Sequence, residues 1–286
     1  MLDPRRHAFR SDLADARLEG QVEAAEFVDG APMRAGTSPV DMHPTPARDG
    51  SILAQCWAGE AVRVFEVDET SGAAWIARER DGYVGYVDVA DLADAFEPTH
   101  VVCAPRTFVY AEPDLKAPVL FQRSGCERFR GGDGREERGT AYVHDGEGWL
   151  IERHVRPLDA QGGDWVAHAA TLLHTPYLWG GETAFGIDCS GLVAWSLALA
   201  GRDVPRDSDM QWRELGEPLP GLEALARGDL VFWQGHVGIM EDAATLLHAN
   251  GHTMSVAREP LAEAVERIGY LYGQPLGARR VGLGTR

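Results

Sequence analysis

The chain has no uninterrupted apolar run approaching the ~18–20 residues of a membrane span. It also lacks a C-x-x-C pair, an H-E-x-x-H helix and any glycine-rich phosphate or dinucleotide fingerprint. These absences remove the ordinary zinc-module, metalloprotease and nucleotide-binding readings. Positive charge is scarce too, with 27 Lys+Arg against 44 Asp+Glu and a formal charge of −17. Such a surface repels phosphate backbones and anionic lipid, so neither nucleic acid nor a membrane surface is expected as a partner. Behind Arg5, Arg6 and Arg10 come Ser11, Asp12, Asp15 and Arg17 rather than an apolar signal-peptide core. The expectation is a cytoplasmic protein. Cysteines are few: Cys56, Cys103, Cys126 and Cys189 are scattered and are expected as free thiols.

The 286 residues are 44% hydrophobic and 25% charged, a globular balance with chain enough for two or three domains. Residues 1–46 read as a charged N-terminal segment without its own core, closing on a proline-rich linker from Pro39 to Pro46. Short alternating strands separated by turns follow: Ala61–Val67, Trp75–Arg78 and Tyr83–Val87 in residues 47–97. Residues 98–157 repeat the texture with Thr107–Tyr110, Pro118–Phe121, Arg128–Phe129, Thr140–His144 and Trp149–Arg153. Two small SH3-like β-barrels fit this pattern, and so does one continuous β-rich domain.

Residues 158–286 change to helices first and strands afterwards, an α+β order. Asp164 is placed to cap a helix Trp165–His174, stopped by Pro176. A second helix, Cys189–Ala200, shows one apolar face and a closing Gly201. Strands are expected at Asp229–Met240 and Thr245–Ala249, joined by a turn at 241–244.

Chemistry gathers in this last part. Asp188 is an N-cap residue, which puts Cys189 in the first helical turn, where the dipole favours a thiolate. Ser190 and Gly191 are small enough to admit a substrate carbonyl, with helix-start N–H groups available to an oxyanion. The same pattern also fits a structural cysteine on a buried helix. A nucleophile needs a base, and His236 lies between glycines on a strand. If 236–240 and 245–249 form a hairpin, His248 falls within one residue of directly opposite, placed to fix the tautomer of His236. Zinc on Cys/His/His would still need a further ligand, and no paired signature supports it.

Thr175-Pro176-Tyr177-Leu178-Trp179-Gly180-Gly181, Gly186-Ile187-Asp188-Cys189-Ser190-Gly191-Leu192-Val193, Gly228-Asp229-Leu230-Val231-Phe232-Trp233 and His236-Val237-Gly238-Ile239 together resemble the NlpC-type cysteine peptidases. That resemblance implies a papain-like catalytic domain preceded by two SH3-like barrels. It implies Cys189 as nucleophile, His236 as base and His248 as orienting residue, with no cofactor and no metal. Tyr177, Trp179, Asp188 and Ser190 would line the pocket, and Asp207 and Ser208 would hold the substrate's amino end. Glu60 and Tyr83 of the first barrel resemble positions that close over that end. The subgroup implied is the cytoplasmic γ-D-glutamyl-L-diamino acid endopeptidases, which take murein stem peptides with a free N-terminal L-Ala. Two other readings are an exported hydrolase of intact wall, with wall-binding barrels, and a non-catalytic binding module of the same fold.

Overall fold

The computed structural model describes residues 2–36, 38–160 and 162–282. Residues 283–286 of the expected peptidase domain therefore lie outside the described residues. The chain divides into two units, residues 1–160 and 161–286. No helix among the described residues is long and apolar enough to cross a membrane.

In the first unit, a five-stranded sheet orders Val84–Asp88, Ala73–Arg78, Ala61–Asp68, Ala31–Ala35 and Leu92–Asp94. Two of the sequence expectations need correcting here. Ala31–Ala35 belongs to the sheet, paired to Ala61–Asp68 on one side and Leu92–Asp94 on the other. Val40–Met42 pairs with Ala54–Cys56, so the proline-rich stretch carries a strand and is not a plain linker. Its alternation explains this: Val40 and Met42 are fully buried while Asp41 is exposed. Ala8 and Leu13 join Phe65, Trp75 and Ala77 in one apolar cluster, so the N-terminal segment is part of the first barrel's core. A second five-stranded sheet orders Val119–Ser124, Arg106–Tyr110, Trp149–Ile151, Thr140–His144 and Gly134–Glu137. With three shorter strands it encloses Val102, Val109, Phe129, Val143, Leu150 and Val155.

The second unit is α+β. Helices α1 (Trp165–Ala170) and α2 (Cys189–Leu199) precede α3 (Ser208–Glu214), with α4 (Leu261–Tyr272) near the end. Strands β1 (Glu217–Pro218), β2 (Asp229–Trp233), β3 (His236–Met240), β4 (Thr245–Asn250), β5 (Ser255–Pro260) and β6 (Gly277–Arg280) form one antiparallel sheet in the order β1-β6-β2-β3-β4-β5. Asp164 caps α1 through its contacts to the Val166 and Ala167 amides, but the helix stops at Ala170, four residues before the expected end. Helix α2 departs from the expected amphipathic form: every residue from Cys189 to Leu199 except Ala198 is buried. It packs against α1 and against β3 and β4 at once, which leaves no solvent face. Its end is a Schellman closure. The Arg202 amide donates to Leu197 O and the Gly201 amide to Ala198 O, with Gly201 at φ +81°.

The expected long strand 229–240 is two strands with a tight turn at Gln234-Gly235, where Gly235 takes φ +72°. His236 is therefore the first residue after a hairpin turn, paired with Trp233. Strand alternation puts His236, Met240, Leu246 and His248 on the face shared by Trp233. Trp233, Met240 and Leu246 pack there against Ala264 and Ile268 of α4.

Candidate active site

Three strands build the histidine side of the site. Ile239 pairs with Leu247 and Met240 with Leu246, a register that sets Gly238 opposite His248 and Asn250 opposite His236. The two histidines are thus two residues out of register, not one. The even offset matters, because an offset of one would put them on opposite faces. As diagonal neighbours on one face, they meet with His236 Nε2 to His248 Nδ1 at 2.8 Å. On β5, Glu259 pairs with Leu246 and His248 with Ala257, so Glu259 lies diagonal to His248 in turn. Its Oε1 is 2.7 Å from His248 Nε2. The same oxygen accepts a hydrogen bond from the guanidinium of Arg267 on α4. Sequence reasoning missed Glu259 and Arg267. A signal existed in the turn residues Asn250-Gly251 after β4, which announce a further hairpin and hence a third strand beside His248.

The cysteine side is built from the start of α2. Asp188 caps the helix through the Gly191 amide at 2.7 Å, and its other oxygen accepts from the Gly180 amide at 3.0 Å. Arg206 binds both oxygens, at 3.1 and 2.6 Å, and also reaches Ser190 Oγ at 2.8 Å and Glu182 at 3.1 Å. Asp188 and Ser190, expected on the substrate, spend these contacts on protein donors instead. They tie the glycine loop, the helix start and the 206–208 segment into one buried knot. Gln211 adds a bond to Ser190 O at 3.0 Å. Arg206 is a third residue that sequence reasoning left without a role.

Asp207 and Ser208 open α3 directly behind Arg206, both half-buried, and the Asp207 side chain does not cap its own helix. Tyr177 is half-buried, and its hydroxyl is held strongly protonated by burial and by the nearby Cys189 and Asp188. Trp179, on the same loop, is 63% exposed. Glu60 and Tyr83 belong to the first unit, where both are buried around Arg78. Glu60 accepts from the Trp57 amide at 3.0 Å and pairs with Arg80, while burial raises its pKa. Arg78 lies over the Tyr83 ring at 5.3 Å.

The electrostatics correct one expectation. Cys189 does begin a helix, yet burial pushes its thiol up to about 12, and the Asp188 carboxylate acts in the same direction. The amides of Val237 and Ser190, with Arg206, offset only part of this. Burial, with the capping carboxylate adding to it, outweighs what the helix start gives the thiolate. Burial likewise holds His236 down to about 3, with His248 and Arg267 adding to the effect and Glu259 opposing it. The resting pair is a neutral thiol and a neutral imidazole. His236 Nε2 faces His248, so Nδ1 is the ring nitrogen that His248 does not engage. Among the described residues no group of three His, Cys, Asp or Glu side chains is placed to hold a metal ion. All four cysteines are free thiols.

The same unit thus holds a buried cysteine at the start of α2 and a hydrogen-bonded histidine–histidine pair, and comparisons with known proteins identify the family. The NlpC/P60 family model matches residues 174–267, and the bacterial dipeptidyl-peptidase Sh3 domain model matches residues 42–92. A Bacillus subtilis protein named gamma-D-glutamyl-L-lysine dipeptidyl-peptidase is 31% identical over 230 residues, 75% of this chain and 74% of that protein. The chain belongs to the NlpC/P60 family of cysteine peptidases. A Lysinibacillus sphaericus protein named dipeptidyl-peptidase 6 is 32% identical over 140 residues, 43% of this chain. A Corynebacterium glutamicum probable endopeptidase is 34% identical over 113 residues, 38% of this chain. The chain spans about half the length of these last two, 51% and 53%. The crystal structure of a Bacillus cereus NlpC/P60 protein superposes with a TM-score of 0.70 at 21% identity, covering 87% of this chain and 99% of that one. That likeness carries the fold: SH3 domain first, papain-like NlpC/P60 domain after it.

Proposed function

We propose that this NlpC/P60 protein is a cytoplasmic endopeptidase. Its substrates would be free murein peptides with an unblocked N-terminal L-Ala, cut at the γ-D-Glu–L-diamino acid bond during cell-wall peptide recycling. The observation that carries the reading is the pairing, in one chain, of a Cys–His–His site with an SH3 domain of the dipeptidyl-peptidase type. The B. subtilis relative's name supports the bond class.

In this reading the Cys189 thiol proton passes to His236 Nδ1 as sulfur attacks the γ-D-Glu carbonyl carbon. The tetrahedral oxyanion forms beside the first amides of α2. Collapse breaks the C–N bond, His236 returns its proton to the leaving amine, and a thioester remains. Water then attacks the thioester, giving up a proton through His236, and the free acid and thiol are regenerated. Asp207, presented by the Arg206 anchor, is the carboxylate for the substrate ammonium.

The test is incubation with L-Ala-γ-D-Glu-meso-diaminopimelate and its Lys counterpart, free and N-acetylated, with products identified by mass spectrometry. Cleavage of the free peptides between γ-D-Glu and the diamino acid is expected. Acetylation removes the ammonium and adds bulk, and should cost about tenfold to a hundredfold in kcat/KM, the size of one charge-assisted hydrogen bond. Equal rates on free and blocked peptides, or solubilisation of intact sacculi, would overturn the free-peptide reading in favour of a wall hydrolase.

A further inference from the structure

The histidine pair does not end at His248. Glu259 on β5 sits 2.7 Å from His248 Nε2, diagonal to it on the same sheet face, and Arg267 of α4 binds the same carboxylate oxygen. His248 is fully buried, so whatever faces its two nitrogens decides which one carries the proton. We propose that Glu259, anchored by Arg267, is a positioning residue that fixes the tautomers of both histidines and thereby makes His236 Nδ1 the base.

The logic runs inward from the carboxylate. A carboxylate has only lone pairs, so the nitrogen it faces, His248 Nε2, carries hydrogen. The other nitrogen of His248, Nδ1, is then an acceptor and requires N–H at His236 Nε2, 2.8 Å away. That leaves His236 Nδ1 as the lone pair. Reversing any link would put hydrogen on Nδ1 and remove the base. Arg267 matters because it already balances the charge of Glu259. The carboxylate therefore acts on His248 as a hydrogen-bond acceptor and does not need to draw a second proton onto the ring. Glu259 is kept ionised, its carboxyl held down to about 2 by His248 and Arg267 against the opposing effect of burial. Helix α4 thus does more than cover the sheet, since it delivers the cation that holds the outer end of the relay.

This inference rests on Cys189, His236 and His248 being the reacting set, but its test needs no substrate. Two-bond 15N–1H correlation spectra of protein labelled at histidine nitrogen read each tautomer directly. Both His236 and His248 should be Nε2–H at neutral pH in the wild type. Glu259→Gln keeps an oxygen toward Arg267, which can only donate, and so keeps the tautomers. Glu259→Leu removes the acceptor at similar volume, and the Nε2–H form should lose its dominance. With peptide substrate, Glu259→Leu should lower kcat about tenfold to a hundredfold with KM within about twofold, and Glu259→Gln should restore most of it. A wild-type His248 found as Nδ1–H or as imidazolium overturns the proposal whatever the substrate proves to be. So does Glu259→Leu protein with unchanged tautomers and unchanged kcat, even if its melting temperature falls, because that is the mark of a structural role. Should Glu259→Leu not fold, Glu259→Gln combined with Arg267→Leu frees the amide to turn its NH₂ toward His248, and the same two readings decide.

Discussion

Both units bury charge, but they close it differently. In the first unit Arg78 and Asp81 are bonded with side chains 0% and 1% exposed, and Arg78 also donates to Gln55 O at 2.8 Å. Arg123 is shared among Asp145, Glu127 and Glu147 in the same manner. These are cations matched by carboxylates, and their whole yield is position: Asp81 also accepts from the Tyr83 amide, and Asp145 from the amides of Glu147 and Gly148. In the second unit Arg206 makes one such closed knot at the start of α2. The line from Arg267 through Glu259 and His248 is different, because it ends on the His236 imidazole, the proposed base, and not on a backbone amide. Closed charge holds a backbone still, whereas a line with one end open holds a lone pair in place. This comparison separates residues whose loss should unfold the protein from residues whose loss should silence it.

The largest effect belongs to the open end. His236→Ala and Cys189→Ala should each lower kcat by roughly 10⁴-fold or more while leaving the melting temperature within a few degrees. Alanine suits the helix at 189. A variant that retains more than about a hundredth of wild-type kcat would break the assignment of nucleophile and base.

Next comes a closed pair. Asp81→Ala removes the carboxylate bonded to the fully buried Arg78 guanidinium, which keeps its hydrogen bond to Gln55 O. Urea unfolding should show a loss of about 3–5 kcal/mol, the usual result of removing one partner of a buried ion pair. If stability is unchanged, the cluster is not closed as described and the contrast between the units fails.

Much of this arrangement was legible in the sequence. The motifs located Cys189, His236 and His248 because each is carried by local grammar: an N-cap before a helix, glycines around a strand histidine. Glu259 and Arg206 were not legible in that way. Their roles depend on strand register and on a crossing from α3 to α2, which no local pattern reports. The strand at Val40–Met42 was hidden for a related reason, since flanking prolines announce an extended linker while the alternation of Val40 and Met42 announces a strand. Burial decided between them. The thiol's electrostatics were misread for the opposite reason: the helix start was visible, but the desolvation that outweighs it depends on everything packed around residue 189.

In the proposed mechanism His248 lies between the extremes, positioning the base without touching substrate. His248→Asn keeps a polar side chain at a fully buried position. The base can still sample its working tautomer, so kcat should fall about a hundredfold, well short of the His236→Ala loss, with KM little changed. If His248→Asn proves the worse of the two, base and orienting residue have been exchanged.

The smallest effect is the most direct probe of the open end. With the thiol pushed up to about 12 and His236 held down to about 3, the unliganded pair is neutral across the ordinary pH range. Iodoacetamide reacts with thiolate, whose fraction well below the pKa rises about tenfold per pH unit, or ~1.4 kcal/mol. Alkylation of Cys189 should therefore accelerate steadily from pH 6 to pH 9 without a plateau. A preformed thiolate–imidazolium pair would instead give a rate already level near neutrality. Peptide mapping separates Cys189 from Cys56 and Cys126, which are buried in the first unit, and from the more accessible Cys103. A plateau at Cys189 would mean that the relay already ionises the thiol before substrate arrives. The steady rise means that the proton leaves sulfur only when the carbonyl is in place to receive the attack.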